Sequence, residues 1–236
     1  QLTAIDSRAE RQGEGFVLNG SKSLVLNGMA ADVILVTAWL EDALALFAVP
    51  ADSAGLSREA FQLMDGQAVA NLRFDQLTLA TDSLVCEPAD SLALIQRVID
   101  EATIAVAAQG LGAMETLLKA TVEYSNTRKQ FGQPIGKFQA LQHRMVDMYT
   151  ATQQCRSLLV RALCSHSAGE PQAAMDMAAL KSMIGKLGRG VAEEAVQLHG
   201  GMGVTEELSV GDYLKRLMVI DSLFGDSAWQ RRRFAE

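Results

Sequence analysis

"SLALIQRVIDEATIA", Ser91 to Ala105, is where the chain changes its period. Ile95, Val98, Ile99, Ala102 and Ala105 recur at steps of three and four, so they fall on one stripe of a helix. The pattern before this stretch is different. From Gly15 to about Val85, β-rich runs ("GFVLNG", "SLVLNG", "DVILVTAWL", "ALALFAVP", "ANLRFDQLTL") alternate with turn signals. Asn19-Gly20 and Asn27-Gly28 read as turns, since both residue types accept positive φ. This half is expected to be antiparallel β.

After the stretch, helical spacing continues to the end. Helices are predicted at about 91–128, 136–167, 171–199 and 206–223, with a short piece near 226–236. Gly132-Gln133-Pro134, Ala168-Gly169-Glu170-Pro171 and Gly200-Gly201-Met202-Gly203 break them. Long helices with short connections argue for an up-and-down four-helix bundle. The expected fold is α+β in two domains: part of an antiparallel β-domain over 1–90, then the bundle over 91–236.

Composition narrows the function. The 236 residues are 49% apolar and 21% charged, and 21 basic against 28 acidic residues give a net charge of −7. That supplies no basic field for nucleic acid. Cys86, Cys155 and Cys164 are not spaced as CxxC pairs, and no Cys/His cluster suggests a metal; they read as buried thiols in a reducing cytosol. No run of about 18 apolar residues could span a bilayer, and "QLTAIDSRAERQGEGF" has no apolar leader core. A cytoplasmic address is expected. The first residue is not methionine, so residues preceding Gln1 are expected to exist.

Two motifs carry the chemistry. "NTRKQFGQPIGKFQALQHRMVDM", Asn126 to Met148, puts Arg128 at a helix C-terminus and a Gly-rich turn before a Gln-rich helix. Alone, it reads as a loop with a helix-capping arginine. "EEAVQLHGGMGVTEE", Glu193 to Glu207, ends a helix in Gly-Gly-x-Gly. Alone, it reads as a C-cap and turn, because a short glycine cluster is weak evidence for phosphate contact. His199, beside it, reads as a hydrogen-bonded structural histidine.

Taken together, the motifs make the chain resemble the acyl-CoA dehydrogenase family over essentially its whole length. That family's "R-x-x-F-G-x-x-I-x-x-F-Q" reads here from Arg128 to Gln139, and its "Q-x-x-G-G-x-G" from Gln197 to Gly203. "GFVLNGSKSLVLNGMAADVILVTA" resembles its middle β-domain, which implies that the family's N-terminal helical domain would precede Gln1. The resemblance implies an FAD enzyme that oxidises an acyl-CoA thioester to the 2,3-enoyl-CoA. A base takes the α-proton while a hydride passes from the β-carbon to the flavin. It further implies that Arg128 contacts the FAD pyrophosphate, that Gln130 and Phe131 flank the adenosine, and that Gln197, Gly200 and Gly201 reach the same cofactor from a neighbouring subunit. The two motifs are expected at opposite ends of the bundle. Implied partners are an acyl-CoA, an acceptor such as an electron-transfer flavoprotein, and further chains in a homo- or hetero-tetramer.

The departures from the family concern the base. The family's last segment reads "Y-E-G-T-x-x-I-Q-R", with the glutamate as base in most members. Aligning Gly225 and Gln230-Arg231 in "VIDSLFGDSAWQRRR" puts Leu223 on the tyrosine, Phe224 on the glutamate and Asp226 on the threonine. Phenylalanine accepts no proton. The position some members use instead is about Ala102, and Leu24 to Leu26 replace the Trp-Ile-Thr run that meets the flavin. Glu101, Asp226 and Asp221 are the carboxylates left as relocated bases; Glu101 reads first as a solvated charge and Asp226 as a helix N-cap. "SLVLNG" and "LFGDSAW" also resemble the small-subunit type of a heteromeric dehydrogenase. Two readings stay open: a dehydrogenase with its base elsewhere, and a catalytically silent flavin-binding or structural subunit.

Overall fold

The structure, a computed structural model, describes residues 4–235. Gln1–Thr3 and Glu236, which the expected domains include, lie outside the described residues. The chain divides into two compact units, Gln1–Val98 and Ile99–Glu236, and the division falls inside the long helix α1 (Pro88–Thr127).

The first unit holds β1 (Arg8–Gln12), β2 (Gly15–Leu26), β3 (Val33–Leu40), β4 (Ala43–Pro50), β5 (Leu56–Gln62) and β6 (Ala68–Leu79). They form one sheet in the order β4-β3-β1-β2-β6-β5. Ile34, Val36, Ala38 and Leu40 of β3 are buried while Val33 and Leu35 are exposed, the period of two that a half-buried strand requires. Phe16 and Phe47 meet edge to face at 5.1 Å in the core.

Three details differ from the sequence reading. The β1–β3 junction is parallel, whereas the other four are antiparallel. The far edge of β2 is taken by β6, so β3 has to join on the open edge of β1 and runs the same way as β1. Asn19-Gly20 is not a turn: β2 continues through it with a register shift between Leu18 and Gly20. Gly20 has φ +125°, and a Cβ there would strike the backbone of Ser7, so glycine serves a bulge at this point. Asn27 does turn the chain, with φ +55° and its carbonyl accepting from the Ala30 and Ala31 N–H groups. Finally, β1 (RAERQ) and β5 (LSREAFQ) form although neither shows apolar alternation.

The second unit continues α1 and adds β7 (Lys129–Gln130), β8 (Gln133–Pro134), α2 (Gln139–Ser167), α3 (Ala173–His199), α4 (Val210–Ser222) and α5 (Ser227–Ala235). The helices share a core around Met114, Leu117, Leu180, Ile184, Leu217 and Ile220. Burying each such side chain contributes about 1.5–3 kcal/mol. The stripe of α1 that enters this core is Ile104, Ala107, Leu111, Met114 and Leu117. Val98, 54% exposed, and Ala105 lie off it, which corrects the phase read from Ser91–Ala105. The early turns of α1 are apolar on more than one side, so their spacing alone did not select the buried one. Cys155 is buried but Cys164 is exposed, so the thiols are not all core residues. Among the described residues no helix is long and apolar enough to cross a membrane.

Candidate functional site

α1 ends at Thr127, and the Arg128 N–H still donates to the Tyr124 carbonyl, 2.8 Å away. The chain then makes the β7–β8 hairpin, pairing Gln130 with Gln133 around Phe131 and Gly132. Both turn residues have positive φ, +51° and +79°, the requirement of a type I′ turn. Phe131 stands at the tip, 90% exposed, edge-on to Phe138 at 6.1 Å.

α3 ends at His199, where Gly200 (φ +61°) turns the chain and its N–H returns to the Gln197 carbonyl. His199 is buried. Its Nδ1 lies 2.7 Å from the Ala195 carbonyl, which can only accept, so Nδ1 carries the proton. Its ring stacks on Tyr124 at 4.5 Å. This contact holds the ends of α1 and α3 side by side.

A cleft of about 570 Å³ opens at that junction, lined by Arg128, Gln130, Gln197, Gly200 and Gly201 together with Tyr124, Arg144 and Thr205. Five of the six residues expected to bind cofactor therefore meet in one protomer; Phe131 stays outside the cleft wall. The expectation that the motifs lie at opposite ends of the bundle is overturned, for a simple reason. In an up-and-down bundle the first and third helices run the same way, so their C-termini share an end.

The charges of the cleft are unequal. Arg144 Nε donates to Glu194 Oε2 at 2.5 Å, and Arg189 outside it pairs with Glu193 at 2.7 Å. Arg128 has no acidic partner among the described residues, so its guanidinium is available to an anion. A Cβ at Gly201 would meet nothing within 4 Å. Glycine there is not demanded by the chain's own packing, and it leaves that wall open to another molecule. A free guanidinium fork, two carboxamides and a bare backbone wall suit a phosphate-bearing cofactor.

The α4–α5 turn, 223–226, is built differently. Phe224 packs against the bundle core with φ +55°, an unusual conformation for a bulky residue. Asp226 caps α5, its Oδ1 accepting from the Trp229 N–H at 2.7 Å. Asp221 Oδ1 accepts from the Ser227 N–H at 2.9 Å. Its carboxylate lies so close to α3 that a Cβ on Gly185 would collide with it. Asp221 faces a groove of about 550 Å³ with Lys186, Arg189 and Arg231, not the cleft beside Arg128. Glu101 is exposed on α1, and Thr103 is buried with its hydroxyl bonded back to the Ile99 carbonyl at 2.7 Å.

Lys181 of α3 was not singled out in the sequence. It is fully buried, and its Nζ donates to the carbonyls of Asp221 (2.8 Å) and Gly225 (2.9 Å). Burial pushes this ammonium down to about 8, while Asp221 and Asp226 pull it back part of the way. The one signal for it in the sequence is a lone lysine amid the apolar "MAALKSMI". Tyr124 and Arg144 were also missed; Tyr124 lies one helical turn before Arg128.

Comparison with known proteins settles the family. The model of the acyl-CoA dehydrogenase C-terminal domain matches residues 92–236. The chain belongs to the acyl-CoA dehydrogenase family. Members of this family are FAD-dependent flavoproteins. The human mitochondrial short-chain specific acyl-CoA dehydrogenase is 29% identical over 97% of this chain. An acyl-CoA dehydrogenase from Geobacillus kaustophilus superposes with a TM-score of 0.94 at 25% identity, covering 100% of this chain and 64% of its own. The ChsE4-ChsE5 complex from Mycobacterium tuberculosis gives 0.90 at 27% identity, covering 100% of this chain and 63% of the matched one. The chain spans 57% of the human acyl-CoA dehydrogenase, so it corresponds to a part of such relatives.

Proposed function

We propose that this chain is the FAD-holding part of an acyl-CoA dehydrogenase that converts an acyl-CoA to the 2,3-enoyl-CoA, with Phe224 in the place of the usual glutamate base. The observation that carries the reading is the shared cleft. Arg128 offers a planar fork to paired pyrophosphate oxygens. Gln130 and Gln197 offer amides, Gly200 and Gly201 a close backbone approach, and Phe131 an exposed ring for the adenosine side. Bound FAD would supply the hydride acceptor. The chain's own share is to hold, to orient and to take the α-proton, and Phe224 cannot do the last. A carboxylate from elsewhere is then needed, with Glu101 or a partner chain's residue the first to test. A tetramer, homomeric or mixed, an electron-transfer flavoprotein as acceptor and a cytosolic address belong to the same reading.

A second reading, a catalytically silent subunit of a heteromeric dehydrogenase, is favoured by one observation: Asp221 and Asp226 both accept from backbone N–H groups of α5. One experiment separates the two. The purified homomer is assayed for FAD content and for turnover over a panel of acyl-CoA thioesters, alone and with Glu101→Gln. FAD with turnover on the order of 10 per second supports the enzyme. FAD without turnover supports a silent flavin-binding subunit, and failure to bind FAD contradicts the enzyme and leaves only a structural subunit.

A further inference from the structure

We propose that Lys181 and Gln230 are positioning residues for the side chain at 224, a buried two-sided clamp on the α4–α5 turn; this rests on reading 224 as the family's base position. Three carbonyls of one short segment are taken by two buried side chains. Lys181, reaching from α3, takes those of Asp221 and Gly225, and Gln230, reaching back from α5, takes that of Phe224 at 2.9 Å. Both side chains are completely inaccessible.

A plain helix–helix turn needs none of this. Its carbonyls could face water, and burying an ammonium is costly even when hydrogen bonds offset part of its desolvation. Gln230 gives a second, independent sign. Its Oε1 is buried without a partner among the described residues, so as a fold element the amide recovers only part of its desolvation. The conformation held is itself unfavourable: Phe224 and Gly225 both have positive φ, and a phenylalanine remains there only where its surroundings over-determine it. The flanking carboxylates add to the hold, since Asp221 and Asp226 tie the turn to the first amides of α5. These contacts together fix the backbone of the segment, and residue 224 is what the fixed backbone presents. The clamp persists although the side chain it presents has no proton-accepting group.

Hydrogen exchange in the purified native protein, read by mass spectrometry over 218–232, tests the clamp. Lys181→Met, which removes two buried hydrogen bonds, and Gln230→Leu, which removes one, should each speed exchange of the turn by about tenfold to a hundredfold. Peptides covering 114–128 and 192–205 should exchange as in the wild type. In the Phe224→Glu background, both substitutions should lower kcat for acyl-CoA oxidation at unchanged KM. Should Lys181→Met not fold, Gln230→Leu decides alone. Turn exchange indifferent to the substitutions, or kcat of Phe224→Glu indifferent to them, overturns the clamp. Faster turn exchange together with an inert Phe224→Glu protein leaves the clamp standing and rejects position 224 as the base position.

Discussion

Tyr124 and His199 stack with ring centroids 4.5 Å apart, one from the last turn of α1 and the other from the last residue of α3. Tyr124 stands just before the first motif and His199 lies inside the second. Arg128 follows Tyr124 by one helical turn, and Gly200 follows His199 directly. The stack therefore sets the distance between the two motifs. Replacing Tyr124 by Leu should cost about 0.5–1.5 kcal/mol of stability beyond lost area. It should also weaken FAD binding several-fold, as measured by fluorescence titration with a thermal melt on the same sample. Unchanged FAD affinity would show that the stack serves the bundle alone.

Arg128 is exposed and lacks an acidic partner among the described residues, so its removal should leave the fold intact. Arg128→Ala should reduce FAD retention tenfold or more, the loss of a charge-assisted hydrogen bond of about 1.5–3 kcal/mol. The melting temperature without added flavin should stay where it was. A drop in melting temperature with unaltered flavin affinity would return Arg128 to the role of a helix cap.

Much of this architecture could be read from the sequence, and the losses have physical causes. The change of period after Ser91 located the helical half, and the turn signals located most strands. Gly20 misled because positive φ serves a bulge as well as a turn, and β1 because a strand paired on both edges needs only Ala9 in the core. The residues of the two motifs were legible but not their meeting in one cleft, since that depends on helix direction. Lys181 was hidden because only tertiary structure brings it beneath a turn 40 residues away.

Lys181 gives the protein a pH dependence of known sign. Its folded value of about 8 lies below the ordinary 10.5, so between these pH values the unfolded chain binds more protons. Lys181 destabilises most below pH 8, and the cost fades as pH rises toward 10.5. The stability of the wild type relative to Lys181→Met, from urea unfolding at pH 7 to 9.5, should rise with pH by at most about 1–3 kcal/mol. A flat or falling difference would mean the ammonium is not desolvated.

Cys155 acts in the opposite sense. Burial pushes its thiol up to about 12 from 9.0, so the unfolded chain loses this proton first and stability contributed by Cys155 declines above pH 9. Cys155→Ala should abolish that decline. In the native protein, exposed Cys164 should react with an alkylating reagent well before Cys155, as peptide mapping would show. Equal labelling of the two would contradict the buried placement of Cys155.

A chain that holds FAD but presents no base at position 224 is tested most directly by anaerobic bleaching of the bound flavin. The flavin-loaded homomer carrying Glu101→Gln, mixed with a panel of acyl-CoA thioesters, should keep its oxidised absorbance, while adding Phe224→Glu, which puts a carboxylate on the clamped turn, should restore bleaching. A flavin-loaded Phe224→Glu protein that leaves the flavin oxidised, with or without Glu101→Gln, would contradict this reading; ordinary enzyme rates are on the order of 10 per second.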